Sequence, residues 1–127
     1  MTHRAIRRHQ KRRDKDAALA EAYAICDARD AFYCRVTGRY TQAGAVDPRV
    51  RREHHHLVPR SRDKGLIADA SNIVTCCAEA HALITAGWLI VEGTDARKVL
   101  RFHWREGIEA AQRPFVIKSR RLSQERD

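Results

Sequence analysis

The sequence contains few aromatic residues and no long hydrophobic run. Aromatic side chains make up 6% of the 127 residues, which argues against a single-strand nucleic-acid binder that stacks bases on aromatic rings. No stretch is long and apolar enough to span a bilayer. The alanine-rich segment 17–26 contains Glu21 and follows three charged residues, so it is not typical of a secretory signal. We therefore expect a cytoplasmic protein.

The chain contains four cysteines, and the redox compartment limits what they can do. In a reducing cytosol, cysteines serve as thiols or metal ligands before they serve as disulfides. We expect two of them, Cys26 and Cys76, to be core residues. The four cysteines are Cys26, Cys34, Cys76 and Cys77.

Basic residues, by contrast, are abundant. The chain has 25 Lys and Arg against 16 Asp and Glu, a formal net charge of +9 and a pI of about 10.0. Such a chain has a polyanion as its natural partner, nucleic acid before an anionic membrane. The length predicts one domain with one modest core.

Glycine and proline are absent from the first part of the chain, where Gly38 and Pro48 are the first of each. Strong helix formers upstream predict a helix over residues 4–29. Its first half is nearly all basic and is either a phosphate-binding arm or a solvated arm; the run RRHQKRR favours the first interpretation. The helix residues expected to contact nucleic acid are Arg7, Arg8, Lys11, Arg12 and Arg13.

The rest of the chain alternates short extended and helical segments. Gly87 stands where the C-terminal cap of a helix belongs. The charged end, 118–127, is expected to fray. Turn residues and β-branched runs predict a strand with a turn over 32–46, an extended segment over 49–56 and a loop over 57–71. A brief strand over 72–75 and a helix over 76–86 follow. The last predicted elements are a hairpin over 88–104 and a short helix over 105–112.

Histidine is concentrated where the extended segment ends and on the following helix. The stretch EHHHLVPRS places three consecutive histidines, from His54 to His56, shortly before Pro59, and His81 falls on the helix. Histidine is the commonest metal-binding side chain, and the neutral ring is a base near neutral pH. In a basic protein, a histidine-lined metal site indicates phosphodiester hydrolysis, in which a metal offsets phosphate charge and a base activates water.

The spacing of these residues resembles the HNH endonuclease family. HHLVP, then SNIVTCCAEAH and AGW, follow the family pattern of a ligand–histidine pair, two apolar residues and proline, then Asn-Leu-Val and a helix histidine. The resemblance covers about residues 27–104. It implies an α+β fold with a ββα-metal core, here with a long basic N-terminal helix and a C-terminal β-hairpin. The implied segments are 1–29 for the basic helix, 30–108 for the nuclease domain and 109–127 for a charged tail.

The resemblance also implies a role for each matching residue. His55 corresponds to the first metal ligand and His81 to the second, on the helix. His56 corresponds to the general base that takes the proton from the attacking water. Asn72 corresponds to the residue that holds the loop so that the base is aimed. Adjacent side chains of a strand point to opposite faces, which suits separate roles for His55 and His56.

His54 and His103 lie near the pattern in the sequence but outside it. His54 has no role in it and is expected to be an exposed strand residue. A register slip of one residue would give the roles to His54 and His55, but Pro59 argues against this because the pattern places the base three residues before the proline. His103 is expected on the surface of the hairpin.

The chain departs from the family at a second metal site. Many members hold a structural zinc with two Cys-x-x-Cys pairs, but here Thr37 and Ala80 replace the second cysteine of each pair. Because two thiolates rarely hold a structural zinc, we expect that site to be absent. Cys34 and Cys77 are expected to lie close together as buried thiols, with a disulfide or a weak metal site as alternatives.

The identity of the catalytic metal ion and the role of the arginines near Pro59 each have more than one interpretation. Thr85, a poor ligand, stands where some relatives have a third ligand. Two protein ligands with waters and phosphate suit Mg²⁺ or Mn²⁺, and two imidazoles also suit Zn²⁺ or Ni²⁺. Arg60 and Arg62 follow Pro59 and serve either as a phosphate clamp or for solubility.

The resemblance implies a metal-dependent endonuclease that hydrolyses DNA, by nicking or by cutting both strands. The alternatives are a non-catalytic DNA-binding module on a degenerate HNH fold, which the lost cysteines favour, and a basic RNA-binding protein. We expect double-stranded DNA as the partner, no membrane, and a second copy or a phage packaging protein as candidate protein partners. Compactness favours a phage setting, in an infected bacterial cell, over a restriction or mobile-element system.

Overall fold

The computed structural model describes residues 2–59 and 62–119. A long helix, a second helix and two small antiparallel sheets make up the fold, so the predicted α+β class is confirmed. None of the helices in the described ranges has the length and apolar character needed to cross a membrane. The elements are α1 His3–Arg29, β1 Arg52–His56, β2 Ile73–Cys77, α2 Ala78–Thr85, β3 Leu89–Glu92 and β4 Arg101–Trp104.

Helix α1 confirms the helix predicted over 4–29. Thr2 caps its N-terminus by accepting a hydrogen bond from the Ala5 backbone N–H. The helix ends at Arg29 with Asp30 as its C-cap, after which Ala31 and Phe32 have left-handed φ angles of 53° and 65°. Left-handed backbone is costly for residues with a Cβ, so packing around this turn must hold it in place.

Strands β1 and β2 pair antiparallel, from Arg52 opposite Cys77 to His56 opposite Ile73. Helix α2 follows β2 without a loop, and its end confirms the predicted cap at Gly87. The Gly87 N–H donates to the Ile84 carbonyl at 3.1 Å, and φ at Gly87 is 80°. Glycine suits this left-handed position because it has no Cβ. Because Arg52 lies opposite Cys77, the antiparallel register places the start of α2 beside the start of β1, where the Ala78 N–H donates to the Arg51 carbonyl at 2.9 Å.

The main core lies between β2, α2 and the β3–β4 hairpin. Phe115, within the segment predicted as a charged tail, also packs in this core, while residues 120–127 lie outside the described part. All four cysteines are buried and none is in a disulfide. The buried members of the core are Cys34, Val36, Val74, Cys76, Cys77, Ala80, Leu89, Ala96, Leu100, Phe102 and Phe115.

Two sequence predictions of local structure were wrong. Segment 32–46 forms no strand. It contains only two isolated bridges, of Tyr33 with Tyr40 and of Gln42 with Arg51. Segment 105–112 contains a single 3-10 turn, Ala110–Gln112, in place of a short helix. Gly107, with φ at 93°, interrupts that segment before a helix can start.

Candidate functional site

Strand β1 points its side chains alternately to α2 and to α1, and the predicted opposite orientation of His55 and His56 is confirmed. His55 and His81 have ring centroids 5.5 Å apart on the α2 side. On the opposite face, His54 and His56 both contact the ring of Tyr23 in α1. The period of two in a strand therefore divides three consecutive histidines between two environments.

Glu53 holds His81 in a defined orientation. The His81 Nδ1 lies 2.8 Å from Oε1 of Glu53, and since a carboxylate only accepts, Nδ1–H is the donor. In the neutral ring the lone pair then belongs to Nε2. Glu53 also lies 3.5 Å from the guanidinium of Arg51 through its other oxygen. A carboxylate bonded to the outer nitrogen of a histidine is the usual support for a metal-binding imidazole.

His55 is kept neutral by its surroundings. Burial, together with the nearby His81 and His56, lowers the pKa of His55 to about 4. Among the described residues, no hydrogen bond occupies either ring nitrogen of His55. The neutral form is the one that coordinates metal ions.

His56 is anchored by the loop that follows β1. Its Nε2 lies 2.8 Å from the carbonyl oxygen of Ile67. A carbonyl only accepts, so Nε2 carries the proton of this hydrogen bond and Nδ1 is the basic nitrogen of the neutral ring. The tautomer is therefore fixed by a backbone group.

Asn72 joins the two ends of that loop. Its Oδ1 accepts from the Val58 N–H at 2.7 Å, and its Nδ2 donates to the carbonyls of Val58 and Leu66. The Asn72 carbonyl also accepts from the Leu57 N–H at 2.8 Å. Asn72 is 1% exposed, so these bonds fix the backbone immediately after His56. An aspartate here would not reproduce the bonds from Nδ2, because a carboxylate only accepts.

The prediction that His54 is exposed was wrong. Its side chain is 15% exposed, stacks on Tyr23 with centroids 4.0 Å apart, and lies 2.8 Å from Oδ1 of Asp27. The cause is the packing of α1 across this face of the sheet, which sequence alone does not reveal. His103, in contrast, is exposed on β4 as predicted.

Cys26, Asp27 and His54 place their ligand atoms within 4.8 Å of one another, so this triad has the composition of a metal site. The contacts instead form a hydrogen-bonded network. The Asp27 carboxylate accepts from both His54 and the Thr75 hydroxyl, and burial raises the pKa of the Cys26 thiol to about 12. The Arg29 guanidinium also lies 3.3 Å from the sulfur, and that cation disfavours a second positive charge there.

Cys34 and Cys77 are both buried in the main core and interact with each other, as predicted. The hydrogen bond from the Cys77 thiol lowers the pKa of Cys34 and raises that of Cys77. Each sulfur also accepts a backbone N–H three residues on, from Thr37 and from Ala80. Thr37 and Ala80 are both buried, so they fill the positions where the resemblance expects two further thiolates.

The predicted phosphate contacts are only partly in the described region. Arg60 lies outside it, while Arg62 is exposed on the turn after Pro59. Thr85 is exposed at the end of α2. The basic residues predicted to bind nucleic acid, Arg7, Arg8, Lys11, Arg12 and Arg13, are exposed on α1.

Sequence reasoning missed Glu53 and Asp27. Glu53 stands two residues before His55, so the strand period alone places both on one face and could have identified it. Asp27 gave no such signal, because its partners are 27 and 48 positions away in the chain.

No family model, curated protein or solved structure matches this chain.

Proposed function

We propose that this protein is a metal-dependent endonuclease of the HNH type, which hydrolyses DNA phosphodiester bonds on a ββα-metal core. The observation that supports it best is the arrangement around the end of β1. A neutral His55 and a Glu53-supported His81 lie on one face, and a histidine of fixed tautomer, His56, is the next residue in the strand. The net charge of +9 suits a nucleic-acid substrate.

His55 and His81 would hold the cation. The donor set fits a divalent ion, because the Nε2 lone pair of His81 is oriented by Glu53 and burial keeps His55 unprotonated. Two imidazoles suit Zn²⁺ or Ni²⁺, and with water and phosphate oxygens they also suit Mg²⁺ or Mn²⁺. When bound, the ion supplies positive charge against the phosphate and the leaving oxygen.

His56 would take the proton from the attacking water. The hydrogen bond from Nε2 to the Ile67 carbonyl leaves Nδ1 as the basic atom. Asn72 keeps that carbonyl in place indirectly, through its bonds to Val58 and Leu66 on the same loop. Asn72 is therefore a positioning residue in this proposal, and His56 is the catalytic one.

A plasmid-cleavage assay tests the proposal. Supercoiled DNA is incubated with the protein in EDTA and, in parallel, in Mg²⁺, Mn²⁺, Ni²⁺ and Zn²⁺. We expect metal-dependent nicking or linearisation that His56→Ala abolishes. His103→Ala is the matched control, because it removes an exposed histidine from the hairpin. Cleavage by His56→Ala at the wild-type rate would contradict the assignment of the base.

A non-catalytic DNA-binding module is the second candidate. The substitution of Thr37 and Ala80 for two of the expected thiolates favours it, because it indicates a core that has lost one metal site. DNA binding without cleavage under every ion would support this candidate over the enzyme.

A further inference from the structure

Most of α1 extends beyond the folded body. Every residue from Thr2 to Ala18 is exposed except the partly buried Ala5, whereas Ala22 and Cys26 are buried against Ile73. At 1.5 Å per residue, the exposed part is about 24 Å long. We call residues 2–18 the overhang. It contains seven Lys and Arg residues against two Asp.

The cations of the overhang are concentrated on one face. Arg4, Arg8, Lys11 and Lys15 follow one another at spacings of four, three and four, which places them in a single row along the helix. Within the described ranges, none of the four forms an ion pair with a carboxylate. Arg13 lies about 140° around the helix from Arg8, on the opposite side.

The same row leads into the packed end of the helix. It continues through Ala18 to Ala22, which is buried against the body. The row of cations therefore faces the side of α1 on which the body lies. A surface groove of about 240 Å³ in the corner between α1 and the loop 62–68 agrees with this at the Lys15 end of the row, because it is lined by Lys15 and Ala18 from the helix and by loop residues that include Lys64 and Ile67.

The corner connects to the candidate site. Ile67, which lines the groove, is the residue whose carbonyl anchors His56. Arg62 and Lys64, both exposed, add positive charge on the loop side. An extended anion in this corner would contact the row of cations at one end and approach His56 at the other.

The chemistry of the overhang selects duplex DNA. It has no aromatic residue on which to stack single-stranded bases. Its large apolar residue is Ile6, so it lacks the apolar face of a membrane-surface helix. A helix about 10–12 Å wide fits the major groove of B-form DNA, about 12 Å wide, but not the deep, narrow major groove of A-form RNA.

We propose that the inner face of the overhang and the loop 62–68 form the two walls of a cleft for B-form duplex DNA. In this cleft Arg4, Arg8, Lys11 and Lys15 contact backbone phosphates. The inference rests on the proposed function for its partner, and it assigns that partner a defined surface. It excludes Arg13, which sequence analysis had grouped with the contact residues.

The test compares two charge-matched variants in EDTA, where binding is measured without cleavage. One carries Arg4→Gln, Arg8→Gln, Lys11→Gln and Lys15→Gln. The other removes four exposed cations from the hairpin side of the molecule, Arg97, Lys98, Arg101 and Arg105. Fluorescence anisotropy with a labelled DNA duplex gives the affinity at each salt concentration, and circular dichroism confirms that both variants keep their helix.

We expect the overhang variant to lose affinity by roughly tenfold or more, and its salt slope to fall by about 3 to 4 for four lost phosphate contacts. The hairpin variant and Arg13→Gln should bind nearly as the wild type does. Equal losses in both quadruple variants would overturn the proposal, since net charge alone would then explain binding. Tighter binding to an RNA duplex or to phosphatidylserine vesicles would overturn the choice of duplex DNA, as would no binding of the wild type to DNA.

Cleavage separates this inference from the proposed function. If the overhang variant shows the expected change in salt slope but no ion supports cleavage by the wild type, the nuclease proposal fails and the cleft stands. If the wild type cleaves and the overhang variant keeps full affinity, the cleft fails and the nuclease proposal stands.

Discussion

The buried carboxylate of Asp30 is expected to control the stability of the fold that carries the histidines. It is 2% exposed and accepts hydrogen bonds from Nε and Nη2 of Arg29 at 2.9 Å, from Nη1 of Arg35 at 3.0 Å and from the Thr75 N–H at 3.0 Å. Burial by itself raises the pKa of Asp30, but the hydrogen bonds and charge of Arg29, with Thr75 and Arg35, bring that pKa below its ordinary value. Asp30 thus joins the end of α1 to β2.

Replacing Asp30 with alanine leaves the partly buried guanidinium of Arg29 and the buried guanidinium of Arg35 without their anion. Arg35 is 2% exposed and its remaining bonds go to the carbonyls of Ala96 and Lys98. Removing one partner of a buried ion pair typically costs about 3–5 kcal/mol. Since domains of this size have total stabilities of about 5–15 kcal/mol, Asp30→Ala should remove a large share of the free energy of unfolding.

Urea unfolding followed by circular dichroism measures this loss. Asp30→Asn should lose less than Asp30→Ala, because it keeps one acceptor oxygen, and it gives a folded variant for comparison. Asp47→Ala is the control: it removes an exposed carboxylate that pairs with Arg49, and exposed pairs contribute little. The reasoning would be refuted if Asp30→Ala unfolded at the same urea concentration as Asp47→Ala.

Three further predictions concern the site and the end of α1. Glu53→Gln should weaken binding of Ni²⁺ or Zn²⁺ by about 10–100-fold, because His81 loses the carboxylate that orients it; calorimetric titration measures this, and wild-type affinity would contradict it. The pKa of about 4 for His55 lies below its unfolded value, so the unfolded state binds more protons and, in EDTA, stability should fall from pH 6.5 to pH 4 by at most about 3 kcal/mol. His55→Gln should flatten this dependence in urea titrations, and an unchanged slope would show that another group causes it. Ala31→Gly should raise the free energy of unfolding by up to about 1 kcal/mol, since glycine adopts the φ of 53° without strain; a loss of stability would show that the Ala31 methyl packs usefully.

Local features were the ones that could be predicted from sequence. The absence of glycine and proline before Gly38 predicted α1, and Gly87 marked the end of α2. Both depend on interactions within a few residues, such as the hydrogen bond from Gly87 to Ile84. The strand predicted over 32–46 does not form, for the opposite reason. That segment is fixed by contacts with other elements, including the bond from the Arg35 N–H to the Thr75 carbonyl, and its own residues do not specify a strand.

The candidate site shows the same division. The alternation of a strand was enough to predict that His55 and His56 face opposite ways. It did not predict that His54 is partly buried, because Asp27 and Tyr23 contact it from a helix whose packing direction is set by the core.

The sequence by itself determined the long helix, the order of the elements from β1 to β4, the excess of positive charge and the periodic placement of the histidines, because each follows from neighbouring residues or from composition. Only the tertiary structure decided which groups surround them. Glu53 on His81, the Ile67 carbonyl on His56 and the body-facing row of cations on α1 all depend on how separate elements pack. Because packing is a property of the whole core, these contacts can be identified only from the tertiary structure.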